Sequence, residues 1–93
     1  MEFLLRTDDL VHRQIDCIVN NEILGEITWK EVDGVMHMNH TYVSPQLRGK
    51  GVAEKLLDEA ASYARSHHLK MNPICSYVVT AFQKSNKYAD VSA

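Results

Sequence analysis

The chain is predicted to fold as an α+β domain. It should form an antiparallel three-stranded meander, a crossover helix, a further strand pairing in parallel, and a C-terminal helix (β-β-β-α-β-α). Three observations predict this. Apolar residues alternate with a period of two across the first half of the chain. A helical stripe begins at residue 52. Asn, Asp and Gly punctuate the boundaries between these segments.

The elements follow in order. Residues 11 to 19 alternate, with Val11, Ile15, Cys17 and Val19 on one side and His12, Gln14 and Asp16 on the other. Asn20-Asn21 tolerates the left-handed backbone of a tight hairpin. Residues 22 to 30 alternate again, placing Ile23, Ile27 and Trp29 opposite Glu26, Thr28 and Lys30. Asp33-Gly34 is a second hairpin signal. Residues 35 to 43 form the third strand, where strict alternation puts Met36, Met38, His40 and Tyr42 on one side. Over residues 52 to 67, Ala53, Leu56, Leu57, Ala60 and Ala64 make an apolar stripe. Residues 71 to 75 make a short strand interrupted by Pro73, and a strand–helix–strand order favours a right-handed parallel crossover. Ser76 is suited to cap a last helix carrying Val78, Ala81 and Phe82 inward. The polar tail from Asn86 is expected to fray.

Ninety-three residues bound the chain to a single domain, residues 1–93, with a modest core. A net charge of −2 offers no nucleic-acid surface. No apolar run approaches a membrane span, and the first residues do not fit a signal peptide. Cys17 and Cys75 lie far apart in no metal-type spacing, so neither a disulfide framework nor a metal site is expected. A cytoplasmic location is the resulting expectation.

The most informative run is Tyr42-Val-Ser-Pro-Gln-Leu-Arg-Gly-Lys-Gly-Val-Ala53. Arg48, Gly49, Lys50, Gly51, Val52 and Ala53 place two glycines and two cations at a strand-to-helix corner. Glycine permits a tight turn and close approach of a ligand to the main chain. The helix that follows begins with unpaired N–H groups and the positive end of its dipole, which suits phosphate or pyrophosphate. No Gly-Lys-Ser/Thr follows a four-residue spacer, so a nucleotide P-loop is disfavoured.

The same run resembles the acetyl-CoA-binding motif of the GCN5-related N-acetyltransferase (GNAT) family, Gln/Arg-x-x-Gly-x-Gly/Ala. Arg48, Gly51 and Ala53 occupy the defining places. His40-Thr41-Tyr42-Val43, Arg48 to Gly51 and Pro73-Ile74-Cys75-Ser76-Tyr77 together resemble the signature of a compact acetyltransferase-like subfamily. The resemblance runs over roughly residues 11 to 85 and is specific over 40 to 57. It implies a minimal GNAT-like fold and acetyl-CoA as co-substrate, with an unidentified amine as acceptor. A polyamine, an antibiotic, a protein N-terminus and a lysine side chain all remain open. Joining the first two strands through Asn20-Asn21 leaves no room for the helices that longer members carry between theirs. A non-catalytic acyl-CoA sensor or interaction module is therefore the alternative. The Asn-x-x-Ala-x-x-x-Tyr pattern that usually follows the fifth strand is absent.

The resemblance implies that the Val43 N–H polarises the thioester carbonyl, and that the loop from Arg48 to Ala53 holds the pyrophosphate. Cys75 stands before a helix N-terminus, which favours thiolate and makes it a candidate acetyl carrier. Its alternative is a small buried hydrophobe, the role expected of Cys17. His40 is a candidate general base or a packed core histidine. Tyr42 and Tyr77 are candidate proton donors to the leaving thiolate, or packing residues. His67 and His68 suit a helix C-terminus, and His12 and His37 lack metal-ligand partners. Trp29 and exposed sheet edges are consistent with a monomer or a weak homodimer.

Overall fold

In the computed structural model, which describes residues 1–93, a five-stranded sheet runs in the order β1-β2-β3-β4-β5. The strands are β1 (Glu2–Thr7), β2 (His12–Val19), β3 (Glu22–Val32), β4 (Val35–Val43) and β5 (Lys70–Pro73). The first four form an antiparallel meander, and β5 pairs with β4 in parallel. Helix α1 (Val52–Ser66) makes the crossover, and α2 (Ser76–Lys84) follows β5. The expected order is present, with β1 added at the front. The first two strands are therefore joined by residues 8–11 and not by Asn20-Asn21. Asp9 organises this connection by accepting from the N–H groups of Val11 and His12, both at 2.7 Å.

Both hairpin signals hold. Asn20, Asn21, Asp33 and Gly34 all have positive φ, as a two-residue turn matching strand twist requires. Helix α1 forms where the apolar stripe predicts it. Val52, Leu56, Leu57, Ala60, Ala61 and Ala64 join Ile15, Cys17, Ile27, Trp29, Met36 and Met38 in one core. Each large aliphatic buried there contributes roughly 1.5–3 kcal/mol. Val78 of α2 enters the same core, so both helices cover one face of the sheet.

Two β-bulges reset the alternation. Cys17 faces Gly25 but Ile18 faces Ile23, which makes Leu24 an extra residue on β3. Leu24 is buried and Ile23 is left 51% exposed, the reverse of the expected facing for Ile23. On β4 the extra residue is Asn39, because Trp29 faces Met38 while Thr28 faces His40. The Thr28 hydroxyl donates to Asn39 Oδ1 at 2.5 Å. A bulge shifts every later side chain to the other face. Met36 and Met38 point into the core, whereas His40 and Tyr42 do not.

The tail does not fray. Asn86–Val91 forms a 3-10 helix with Tyr88 and Val91 buried. Tyr88 stacks on Phe82 at 5.2 Å, and its hydroxyl donates to Asp58 Oδ1 at 2.6 Å. Arg65 Nε donates to Asp90 Oδ2 at 2.7 Å. Two buried anchors, Tyr88 and Val91, and ionic contacts to α1 outweigh the polar composition of the segment. Trp29 is 1% exposed and packs 5.3 Å from the Tyr63 ring, so it is core rather than an association surface.

Candidate acyl-transfer cleft

Strands β4 and β5 stay paired only as far as Met38 and Pro73. Beyond that point the N–H groups of Ile74 and Cys75 both donate to the Met38 carbonyl, at 3.0 and 2.8 Å, and the strands part. The gap lies between residues 39–43 on one side and Cys75 with the start of α2 on the other.

Val43 presents its main chain to this gap. The Ser44 N–H donates to Leu24 O at 2.7 Å, while Val43 faces Gly25. That combination makes Gly25–Val43 a non-hydrogen-bonded pair, so the Val43 N–H and C=O point away from β3. Arg48 Nε donates to the Val43 carbonyl at 3.2 Å. Part of the Arg48 guanidinium is thereby committed to holding the loop against the strand end.

Val43 begins a cavity of about 290 Å³ that runs past Leu47, Arg48, Gly49 and Gly51 to Val52, Ala53, Glu54 and Tyr77. Gly51 is the N-cap of α1, with φ 72° and no side chain capping the helix. The first bond into α1 is Lys55 N–H to Gly51 O at 3.1 Å. The N–H groups of Val52, Ala53 and Glu54 therefore have no acceptor within the helix. Gly49 also has positive φ, and nothing stands within 4 Å of a Cβ at Gly49 or Gly51. Lys50 is exposed and adds charge at the rim. An uncapped helix start, a flat glycine turn and an apolar groove leading to the β4–β5 gap fit a pyrophosphate joined to an extended chain.

Cys75 is the N-cap of α2, one residue earlier than the Ser76 expected from the sequence. Its Sγ lies 3.6 Å from Thr41 Oγ1. Burial works against its thiolate, but the Thr41 hydroxyl and the N–H groups of Val78, Tyr77 and Thr41 outweigh it. They hold the thiol below its ordinary range. Cys17 is the opposite case: fully buried on β2, its thiol is pushed up by desolvation, and it fills core as expected. Tyr77 lines the groove. Burial, with Glu54 and Asp58 nearby, raises its pKa and keeps the phenol protonated.

His40 and Tyr42 do not join this constellation. They stand opposite Thr28 and Glu26 on the sheet face that neither helix covers. His40 Nε2 lies 3.7 Å from Glu26 Oε2, and Tyr42 is 44% exposed. The bulge at Asn39 is the reason, and it brings Thr41 to the cleft in their place. Thr41 was not among the residues expected from the sequence. The signal that marks it is a polar Asn-His-Thr stretch after Met38, where an apolar face would otherwise continue.

Comparison with known proteins agrees with this fold. A family model described as GCN5-related N-acetyl-transferase matches residues 14–91. A GCN5-like protein from Staphylococcus aureus shares 33% identity and superimposes with a TM-score of 0.70, covering 97% of this chain and 87% of its own. Two more distant structures share the fold. The ribosomal-protein-alanine N-acetyltransferase from Brucella melitensis has 23% identity and a TM-score of 0.67, over 91% of this chain and 64% of its own. A Bacillus anthracis protein solved in complex with acetyl coenzyme A has 18% identity and a TM-score of 0.59, over 69% of this chain and 38% of its own. With a family model spanning most of its length and a close structural relative at this identity, the chain belongs to the GCN5-related N-acetyltransferase family.

Proposed function

We propose that this protein binds acetyl-CoA in the cleft between β4 and β5 and transfers the acetyl group to an amine. The observation that carries the reading is the Val43 N–H, turned away from β3 into the gap at the head of the glycine-loop groove. The uncapped start of α1 takes the pyrophosphate, Lys50 adds charge, and the apolar groove takes the connecting arm. A thioester carbonyl at the head of the groove then meets the Val43 N–H, which stabilises the oxyanion as it forms.

The donors around Cys75 favour transfer through that residue. The Cys75 thiolate forms the new S–C bond as the thioester C–S bond breaks. Tyr77 gives its proton to the departing thiolate. An amine then forms the N–C bond, the Cys75 S–C bond breaks, and the proton lost by the amine restores Tyr77.

Two measurements test the reading. Calorimetric titration of acetyl-CoA into the folded protein should show binding, and the mass of the Cys75 peptide should then rise by one acetyl group, with one CoA released per chain. A panel of amines should restore the peptide mass and sustain CoA release. Binding without release across the panel would leave an acyl-CoA-binding module. A Cys75→Ser protein that keeps full transfer would leave direct attack by the amine.

A further inference from the structure

The two edges of the sheet are treated differently. β5 is four residues long, contains Pro73, and is covered by a bridge from Met71 to Ser92 and a bond from the Ala93 N–H to Met71 O at 2.9 Å. Short length, proline and a covering segment are the usual ways a chain blunts an edge. β1 has none of them. It is six residues of unbroken register against β2, with no proline or lysine, and its outer row of N–H and C=O groups is open.

Its side chains depart from a solvent-facing pattern as well. Leu4 shares a face with Asp16 and Leu5 the other face with Ile15, yet both leucines are about half exposed, at 49% and 47%. Leu4 stands between Glu2 and Arg6 on one face, and Phe3 and Leu5 share the other, so apolar side chains emerge on both faces of this edge. On the helix face, Phe3 and Leu5 line a groove with Ile15 and Tyr63 that runs out at this edge.

We infer that β1 is the seam of a two-fold dimer, pairing antiparallel with β1 of a second copy with Leu4 on the axis. A two-fold axis perpendicular to the sheet keeps each face continuous, so only residues of like facing can stand opposite each other. Centring on Leu4 or on Leu5 overlaps β1 equally, and only the Leu4 centre sets opposite charges against each other. Phe3 then stands opposite Leu5 of the second copy, joining the two grooves. Glu2 stands opposite Arg6 of the second copy, twice by symmetry. Within one copy these two residues are roughly 13 Å apart along the strand and cannot meet. Glu2 makes no ion pair in the chain, and the nearest carboxylates to Arg6, on Asp8 and Asp16, are both at 3.7 Å, too long for hydrogen bonds. The edge is therefore complementary to itself in charge, facing and hydrophobicity. The seam lies at the opposite edge of the sheet from the acyl-transfer cleft, so the two readings stand or fall separately.

Sedimentation equilibrium of the whole chain tests this. The parent should dimerise in the micromolar range, as a small strand-pairing interface implies. Leu4→Lys should be monomeric with unchanged circular dichroism. Glu2→Arg and Arg6→Glu should each weaken the dimer by roughly tenfold. The double exchange, Glu2→Arg with Arg6→Glu, should recover most of the parent affinity. It restores the contact across the axis but not the approach of Arg6 to Asp8 and Asp16. A parent that stays monomeric to submillimolar concentration overturns the inference. So does a dimer indifferent to Leu4→Lys, or a double variant no tighter than the single ones.

Discussion

Thr41 Oγ1 lies 3.6 Å from Cys75 Sγ, across the gap where β4 and β5 separate. This pairing exists because Asn39 is bulged out of the ladder. Without that extra residue Thr41 would face solvent and His40 would lie inside. One inserted residue therefore decides which side chain of β4 meets the thiol.

Thr41→Val should raise the Cys75 thiol pKa. The hydroxyl and the main-chain donors now hold it below its ordinary range against the opposing effect of burial. Removing the hydroxyl reduces support for the thiolate, so the thiolate fraction at neutral pH falls. Alkylation by iodoacetamide, followed against pH, should slow severalfold at neutrality with its midpoint moved upward. An unmoved midpoint would mean that the main-chain N–H groups alone set the thiol.

Gly51→Glu should abolish cofactor binding. The new carboxylate would cap α1 and repel a pyrophosphate, and a side chain at φ 72° is strained. Calorimetry should show acetyl-CoA affinity reduced by roughly a hundredfold or more. A helical circular dichroism spectrum like that of the parent would confirm that the fold survives. Near-parental affinity would place the ligand elsewhere.

Tyr88→Phe should destabilise the chain by about 1–2 kcal/mol, or roughly 5–10 °C in Tm for a domain of this size. The ring and its stack on Phe82 remain, but the bond to Asp58 is lost. Burial and the Asp58 carboxylate raise the Tyr88 pKa in the folded chain. Its contribution is therefore present below the ordinary tyrosine value near 10 and is lost as pH rises through the higher folded value. Thermal melts across the alkaline range should show a smaller loss in the variant than in the parent, since Tyr77 and Tyr63, also raised, remain in both.

His40→Ala and Tyr42→Phe should bind acetyl-CoA within about twofold of the parent, since substitutions remote from a site leave it largely unaffected. Both side chains lie on the uncovered face, away from the groove. A large loss of affinity on calorimetric titration would show that the ligand reaches through the gap to that face.

The meander, α1, the parallel strand and the glycine loop were legible because each rests on a local pattern. The two hairpins come from Asn20-Asn21 and Asp33-Gly34, and α1 from a stripe that neighbouring residues supply. β1 was missed because Phe3, Leu4 and Leu5 are apolar in succession and show no alternation. The same property marks β1 as an unfinished edge. The polar composition of the tail points to fraying and hides two buried anchors, Tyr88 and Val91, the first tied to Asp58, which lies far away in sequence.

The sequence by itself determined the fold class, the order of elements after β1, and the loop from Arg48 to Ala53, since turns, helix stripes and glycine corners are short-range effects. Tertiary structure alone decided the facing of β4, the exposure of the Val43 N–H and the pairing of Thr41 with Cys75. Each depends on register between strands and on where β4 and β5 part. A one-residue bulge is energetically small and leaves little trace in composition, yet it inverts every side chain beyond it.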